Sequence, residues 1–162
     1  MAQTEGSTER GIEGKYLTFS LGGEEYGIEI SRIREIIGIM PVTHVPQTPG
    51  FVRGVINLRG KVIPVIDLRL RFDMKEQAYT ERTCIIVAEL RTEAGRVSMG
   101  LVVDSVSEVL NIKADEIEEA PSFGTKLHTD YILGMAKLEG GVKILIDIDM
   151  VLTAEGLLGK AV

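Results

Sequence analysis

The side chains in this sequence that could do chemistry are one cysteine, two histidines, a close pair of aspartates and a few charges in turns. Cys84 opens the run Cys84-Ile85-Ile86-Val87-Ala88, which reads as a buried strand. A cysteine there is a small core hydrophobe, not a nucleophile. His44 and His128 sit in unlike segments with no Cys or His at ligand spacing, so no metal site is expected. Asp147 and Asp149 lack the twelve-residue cation loop around them, and Asp147 reads better as a helix cap. Neither of the two glycine-rich phosphate motifs is present. No catalytic constellation and no cofactor are expected, and the chain is read as a non-enzyme.

Two other polar residues stand out. Arg59 and Gly60 form the turn of a hairpin spanning Val55–Ile66. Gly60 is expected to take the left-handed conformation, leaving Arg59 in an ordinary one and pointing outward. Glu35 lies in an apolar setting between Arg34 and Ile36. Each has a plain reading as a solvated charge, and each could instead be the other's partner. A surface pair is worth only ~0–1 kcal/mol, so its value would lie in geometry. Ile33, Ile36, Ile37 and Ile39 are more aliphatic residues than a small barrel can hide. A residual apolar groove beside the pair would bind protein.

The elements that position these residues come from an internal repeat. GIEISRIREII at Gly27–Ile37 matches GLVVDSVSEVL at Gly100–Leu110, an offset of 73 (27 to 100) that carries Glu35 onto Glu108. GVINLRGKVIPVIDL at Gly54–Leu68 matches GMAKLEGGVKILIDI at Gly134–Ile148, an offset of 80 (54 to 134). Gly60 recurs as Gly140 and Asp67 as Asp147, but Glu139 replaces Arg59 and Ile144 replaces Pro64. The reversed charge suggests that the two copies face different surroundings. Pro64 inside an apolar strand predicts an edge strand.

Each copy holds about five short strands with glycine turns, which favours barrels over βαβ units. The expected fold is mainly β: two small five-stranded SH3-like barrels with short helices after Asp67 and Asp147. Residues 1–14 read as a flexible arm, 15–80 and 81–152 as two lobes, and 153–162 as a tail.

Composition narrows the function further. Glycine is 18 of 162 residues, about 11% against a usual ~7%, with only five prolines, which fits many tight turns. A net charge of −6, no tryptophan and eight Phe and Tyr together oppose nucleic-acid binding, the rival offered by small barrels. The N-terminus has no signal-peptide pattern and no apolar run approaches the ~20 residues that span a bilayer. One cysteine gives no internal disulfide. A cytoplasmic protein without membrane insertion is expected.

The segments YLTFSLGGEEYGIEISRIREI, TPGFVRGVINLRGKVIPVIDLRLRF, GLVVDSVSEVL and YILGMAKLEGGVKILIDI closely resemble the CheW family of bacterial chemotaxis coupling proteins. The likeness runs from about Tyr16 to about Leu152, and its most specific part is GVINLRGKVIPVIDL. It implies two intertwined five-stranded barrels and no enzymatic activity. It also implies an adaptor that bridges the cytoplasmic tip of transmembrane chemoreceptors to the histidine kinase CheA through the kinase's regulatory domain. The resemblance places the protein at the inner face of the membrane through receptor arrays, and a monomer is expected in isolation. An adaptor of the same family serving a non-chemotaxis receptor remains an alternative.

Carried over by position, Arg59 and Glu35 match the family's polar pair near its receptor groove. Ile33 and Gly54 match positions linked to receptor or kinase coupling, and Val103 is expected to line the groove from the second lobe. Phe123, after Pro121, matches an aromatic at the kinase contact; some members carry a basic residue near it where this chain has Glu118.

Overall fold

The alternation Leu17, Phe19, Leu21 builds strand β1 (Gly14–Leu21), and Gly22-Gly23 turn it into β2 (Glu24–Glu29). Both turn glycines sit at positive φ, 59° and 88°, as a two-residue hairpin loop requires. The computed structural model describes residues 13–120 and 131–153. A 3-10 turn, Ile30–Arg32, leads into β3 (Ile33–Gly38). Strands β4 (Val52–Leu58) and β5 (Lys61–Asp67) form a second hairpin, and β6 (Cys84–Thr92) and β7 (Gly95–Val103) a third. Beyond Asp104 come β8 (Ser105–Ile112), the two-residue β9 (Ile117–Glu118), β10 (Ile132–Leu138) and β11 (Gly141–Ile146).

These strands form two sheets, in the orders β8-β1-β2-β11-β10-β9 and β3-β6-β7-β5-β4. The mainly β class holds, with six and five strands where five and five were expected; β9 supplies the sixth. Neither sheet belongs to one half of the chain. Hairpin β1–β2 completes the sheet of β8, β10 and β11, while hairpin β6–β7 completes that of β3, β4 and β5. Lobes cut at residue 80 therefore do not coincide with the sheets, because a local repeat does not say whose strands pair.

The pairing nevertheless respects the repeat. Val65 of β5 lies beside Gly100 of β7 in one parallel ladder, and Leu145 of β11 beside Gly27 of β2 in the other. A Cβ on Gly27 would stand 2.8 Å from Leu145 Cδ2, and one on Gly100 3.3 Å from Val65 Cγ2 across the ladder and 2.8 Å from Ile85 Cγ2 of β6, so glycine permits the close approach in both places. The edge expected at Pro64 is corrected: β5 is interior, between β7 and β4. Its ladder with β7 starts only at Val65, so the proline nitrogen meets no ladder acceptor. In the other copy Ile144 pairs with Tyr26, and that ladder starts one residue earlier.

Among the described residues, three apolar clusters hold the sheets. Ile56, Ile63, Val65, Ile85, Val87 and Val102 fill one, and Tyr16, Ile112, Ala136 and Leu145 another. The largest draws on both sheets and joins Phe19 and Ile28 to Ile86, Leu101 and Val103. A stack of rings, Phe19, Tyr26, Phe72 and Tyr131, runs through it with centroids 4.9–5.9 Å apart. Short helices follow β5 (Leu68–Arg71) and β11 (Ile148–Thr153). Asp67 caps the first by accepting from the Arg69 N–H at 2.9 Å, and Asp147 the second from Asp149 N–H at 3.1 Å.

Candidate protein-docking site

Edge strand β3 carries a bulge: Ile33 lies opposite Ala88 and Glu35 opposite Val87, so Arg34 is the extra residue. The bulge resets the alternation. Ile33 packs into the large shared core, whereas Ile37, two places beyond Glu35, packs into the cluster of Ile63, Val65 and Val87. Glu35 is thereby aimed across that second face, toward the β4–β5 turn at the opposite side of the sheet. There the Arg59 guanidinium donates to Glu35 Oε2. The two residues, separate in sequence, close one site.

Around the pair is a groove of about 310 Å³ lined by Arg34, Glu35, Leu58, Arg59, Lys61 and Ile63, with Val87 and Ser98. Leu58 is its half-buried aliphatic side, the buried Ile63 and Val87 lie at its floor, and three cations surround one carboxylate. Arg34 also reaches Glu89 at 3.5 Å. Such a site can hold an apolar side chain while its rim hydrogen-bonds carbonyls or carboxylates of the same partner. Arg34 and Lys61 were missed by sequence reasoning; their signal was the sign of the charge beside each candidate residue.

The expected backbone at the turn is corrected. Arg59 itself is left-handed, with φ 52°, and Gly60 has φ 89°. Leu58 pairs with Lys61, so the loop has two residues, and the favoured two-residue hairpin turn takes both at positive φ. Asn57 Oδ1 accepts from the Gly60 N–H at 2.9 Å and steadies it. The matching turn, Glu139-Gly140, has neither residue at positive φ. The two copies therefore differ at this turn in conformation as well as charge, and the equivalents of Glu35 and Arg59 are both acids, Glu108 and Glu139.

The other expected site residues divide. Gly54 is buried with φ 140°, and a Cβ there would overlap the Thr43 carbonyl; it lets Thr43 pair with Val55. Val103 is 1% exposed within the shared core, which corrects its expected place on the groove wall. It stands next to Asp104, where the chain leaves β7, and its side chain turns inward between the sheets. Phe123, Pro121 and His128 lie outside the described residues. Glu118 pairs with Lys137 at 2.6 Å across β9 and β10.

Exposed aliphatic side chains occur in matched places. Ile36 is 43% exposed and its equivalent Val109 50%; Val62 is 70% exposed and its equivalent Val142 52%. Cys84 is half-buried, and burial pushes its thiol above the ordinary range, away from nucleophile behaviour. No group of three metal-ligating side chains occurs among the described residues.

The family model for the CheW-like domain matches residues 15–156. The chain belongs to the CheW family. It is 43% identical to the chemotaxis protein CheW of Klebsiella aerogenes, over 87% of this chain and 82% of that one. Chemotaxis protein CheW of Bacillus subtilis is 36% identical over 87% of this chain and 88% of its own length. Among solved structures, the scaffolding protein TtCheW of Thermoanaerobacter tengcongensis superposes with a TM-score of 0.78 and 35% identity, covering 90% of this chain and 96% of that chain. The two-sheet, mainly β fold agrees with these relatives, and the chain is a chemotaxis adaptor. No helix among the described residues is long and apolar enough to cross a membrane.

Proposed function

We propose that this chain is a non-enzymatic coupling subunit that binds the cytoplasmic tip of chemoreceptors and the regulatory domain of the kinase CheA. Through the receptors it is held at the inner face of the membrane. The observation that carries the reading is the Arg59–Glu35 pair, set across a mainly polar groove in one sheet and replaced by two acids in the equivalent place of the other. An ion pair so exposed adds little stability, so its worth lies in presenting a fixed donor array to a partner.

The groove and the exposed Ile36 and Val62 on β3 and β5 suit one side of a helical hairpin, with Arg59 setting orientation. Glu35 and Arg59 make the polar contact in this account. Ile33 and Gly54 act from beneath, by placing β3 and β4, and Val103 by filling the core behind them. Phe123 belongs to the kinase contact. Weak individual contacts suffice in an array, where effective concentration multiplies them. Signalling then requires only that the adaptor bind two receptor–kinase states with different affinity.

Reconstituted receptor fragments, CheA and this chain test the proposal. Kinase output should respond to receptor only with all three present, and Arg59→Glu should abolish the response while leaving the fold intact. A full response with Arg59→Glu would overturn the assignment of the site.

A further inference from the structure

Among the described residues the chain crosses between sheets twice, and an ion pair holds each crossing. At the first, before β3, the Arg32 guanidinium donates to Asp149 Oδ1 at 2.6 Å and to the Glu89 carbonyl at 2.9 and 3.2 Å. At the second, after β7, Asp104 accepts two bonds from Arg69, both 2.8 Å, and one from the Gly22 N–H at 2.9 Å. Asp149 and Arg69 are equivalent residues of the two short helices, related by the offset of 80. Arg32 and Asp104 are one place from equivalence, since the offset of 73 carries Ser31 onto Asp104. One bridge is thus built twice, with cation and anion interchanged.

Each helix reaches the crossing made by the other half because of the parallel ladders. Strand β11 runs beside β2, so the helix after it ends up at Arg32; β5 runs beside β7, so its helix ends up at Asp104. A duplicated chain has a second solution, in which each half keeps its own hairpin, β5 lies beside β2 and β11 beside β7. Glycine spacing and strand pattern accept both, since Gly27 and Gly100 open the same space in each copy. The charges do not. In the unexchanged arrangement Arg69 would arrive at Arg32 and Asp149 at Asp104. Both contacts become like-charged, and the Arg32 side chain, only 9% exposed, is poorly screened by water.

We propose that this inverted pair of bridges selects the strand-exchanged fold over the unexchanged pairing of the same elements. Arg32, Asp149, Asp104 and Arg69 are then positioning residues, which decide the hairpin that completes each sheet and so the surfaces each sheet offers.

A cross-link reads the pairing directly. Gly38 lies opposite Cys84 across β3 and β6, and nothing stands within 4 Å of a Cβ placed on Gly38. Gly38→Cys in the full chain therefore closes an intramolecular disulfide only when β3 pairs with β6. After refolding from urea in a glutathione buffer, that background should cross-link. Adding Arg69→Asp with Asp149→Arg makes both native bridges like-charged, one of them at the buried Arg32, and the cross-linked fraction should fall about tenfold or more. Adding Arg32→Asp and Asp104→Arg as well restores opposite charges and should restore cross-linking to within about twofold. Undiminished cross-linking in the helix exchange overturns the proposal. Failure of the four-site variant to recover overturns it too, because the lost contacts would then not be charge pairing.

Discussion

A Cβ on Gly54 would overlap the carbonyl oxygen of Thr43, because the backbone after β3 folds directly onto β4 there. Thr43 and Val55 exchange both backbone hydrogen bonds, at 2.8 and 2.9 Å, one residue away. Any side chain at 54 must break that contact and also hold φ at 140°. Gly54→Ala is expected to lose about 2–4 kcal/mol in urea unfolding. A coupling defect at this position is then a defect of fold. Stability within about 0.5 kcal/mol of the parent would contradict the close approach.

Arg59 separates turn geometry from recognition. Asn tolerates the left-handed conformation better than Arg, and Asn-Gly is the favoured sequence for this turn. Arg59→Asn should therefore keep or slightly raise the melting temperature while removing the bond to Glu35. Kinase coupling should fall about tenfold or more, in line with loss of a charged contact at an interface. Retained coupling with an intact hairpin would place the contact elsewhere.

Val103 makes the opposite case. Its side chain is buried between the sheets, and Val103→Ala should cost about 1.5–3 kcal/mol. Partner affinity measured well below the unfolding transition should remain that of the parent. Weakened affinity without loss of stability would put Val103 back on the binding surface.

Asp104 gives a pH signature. Burial raises its carboxyl, but the Arg69 hydrogen bond, the Gly22 N–H and the Arg69 charge outweigh it and hold the group below its ordinary value of 3.8. The folded state thus takes up this proton less readily than the unfolded one. Its contribution is complete above the ordinary value and drains away as pH falls through the folded value. The stability gap between parent and Asp104→Asn, from urea titrations, should shrink as the pH is lowered from about 5 through the ordinary carboxylate value and below it. A gap constant across that range would contradict the ion pair's role.

The strands, tight turns and both aspartate caps were legible because each depends on a few neighbouring residues: Leu17, Phe19 and Leu21 alternate, and Asp67 and Asp147 precede their helices. The meeting of Glu35 with Arg59 was legible as an option, since Arg59 sits where the copies differ in charge and Glu35 is a lone acid in an apolar setting. Three features were not. The conformation of Arg59 follows from a two-residue loop length that the alternation alone does not set. The inward turn of Val103 depends on which sheet faces it, and the exchange of hairpins decides that. Exchange itself is invisible to local pattern, because Gly27 and Gly100 are alike. Its signal lies in the charges of Arg32 and Asp149, 117 residues apart.

The most direct test of the adaptor account is CheA autophosphorylation with receptor signalling fragments, with each component omitted in turn. The account predicts receptor-dependent kinase output only when this chain is present, and its loss with Arg59→Glu. Receptor control of the kinase without the chain, or a chain that binds neither partner, would contradict it.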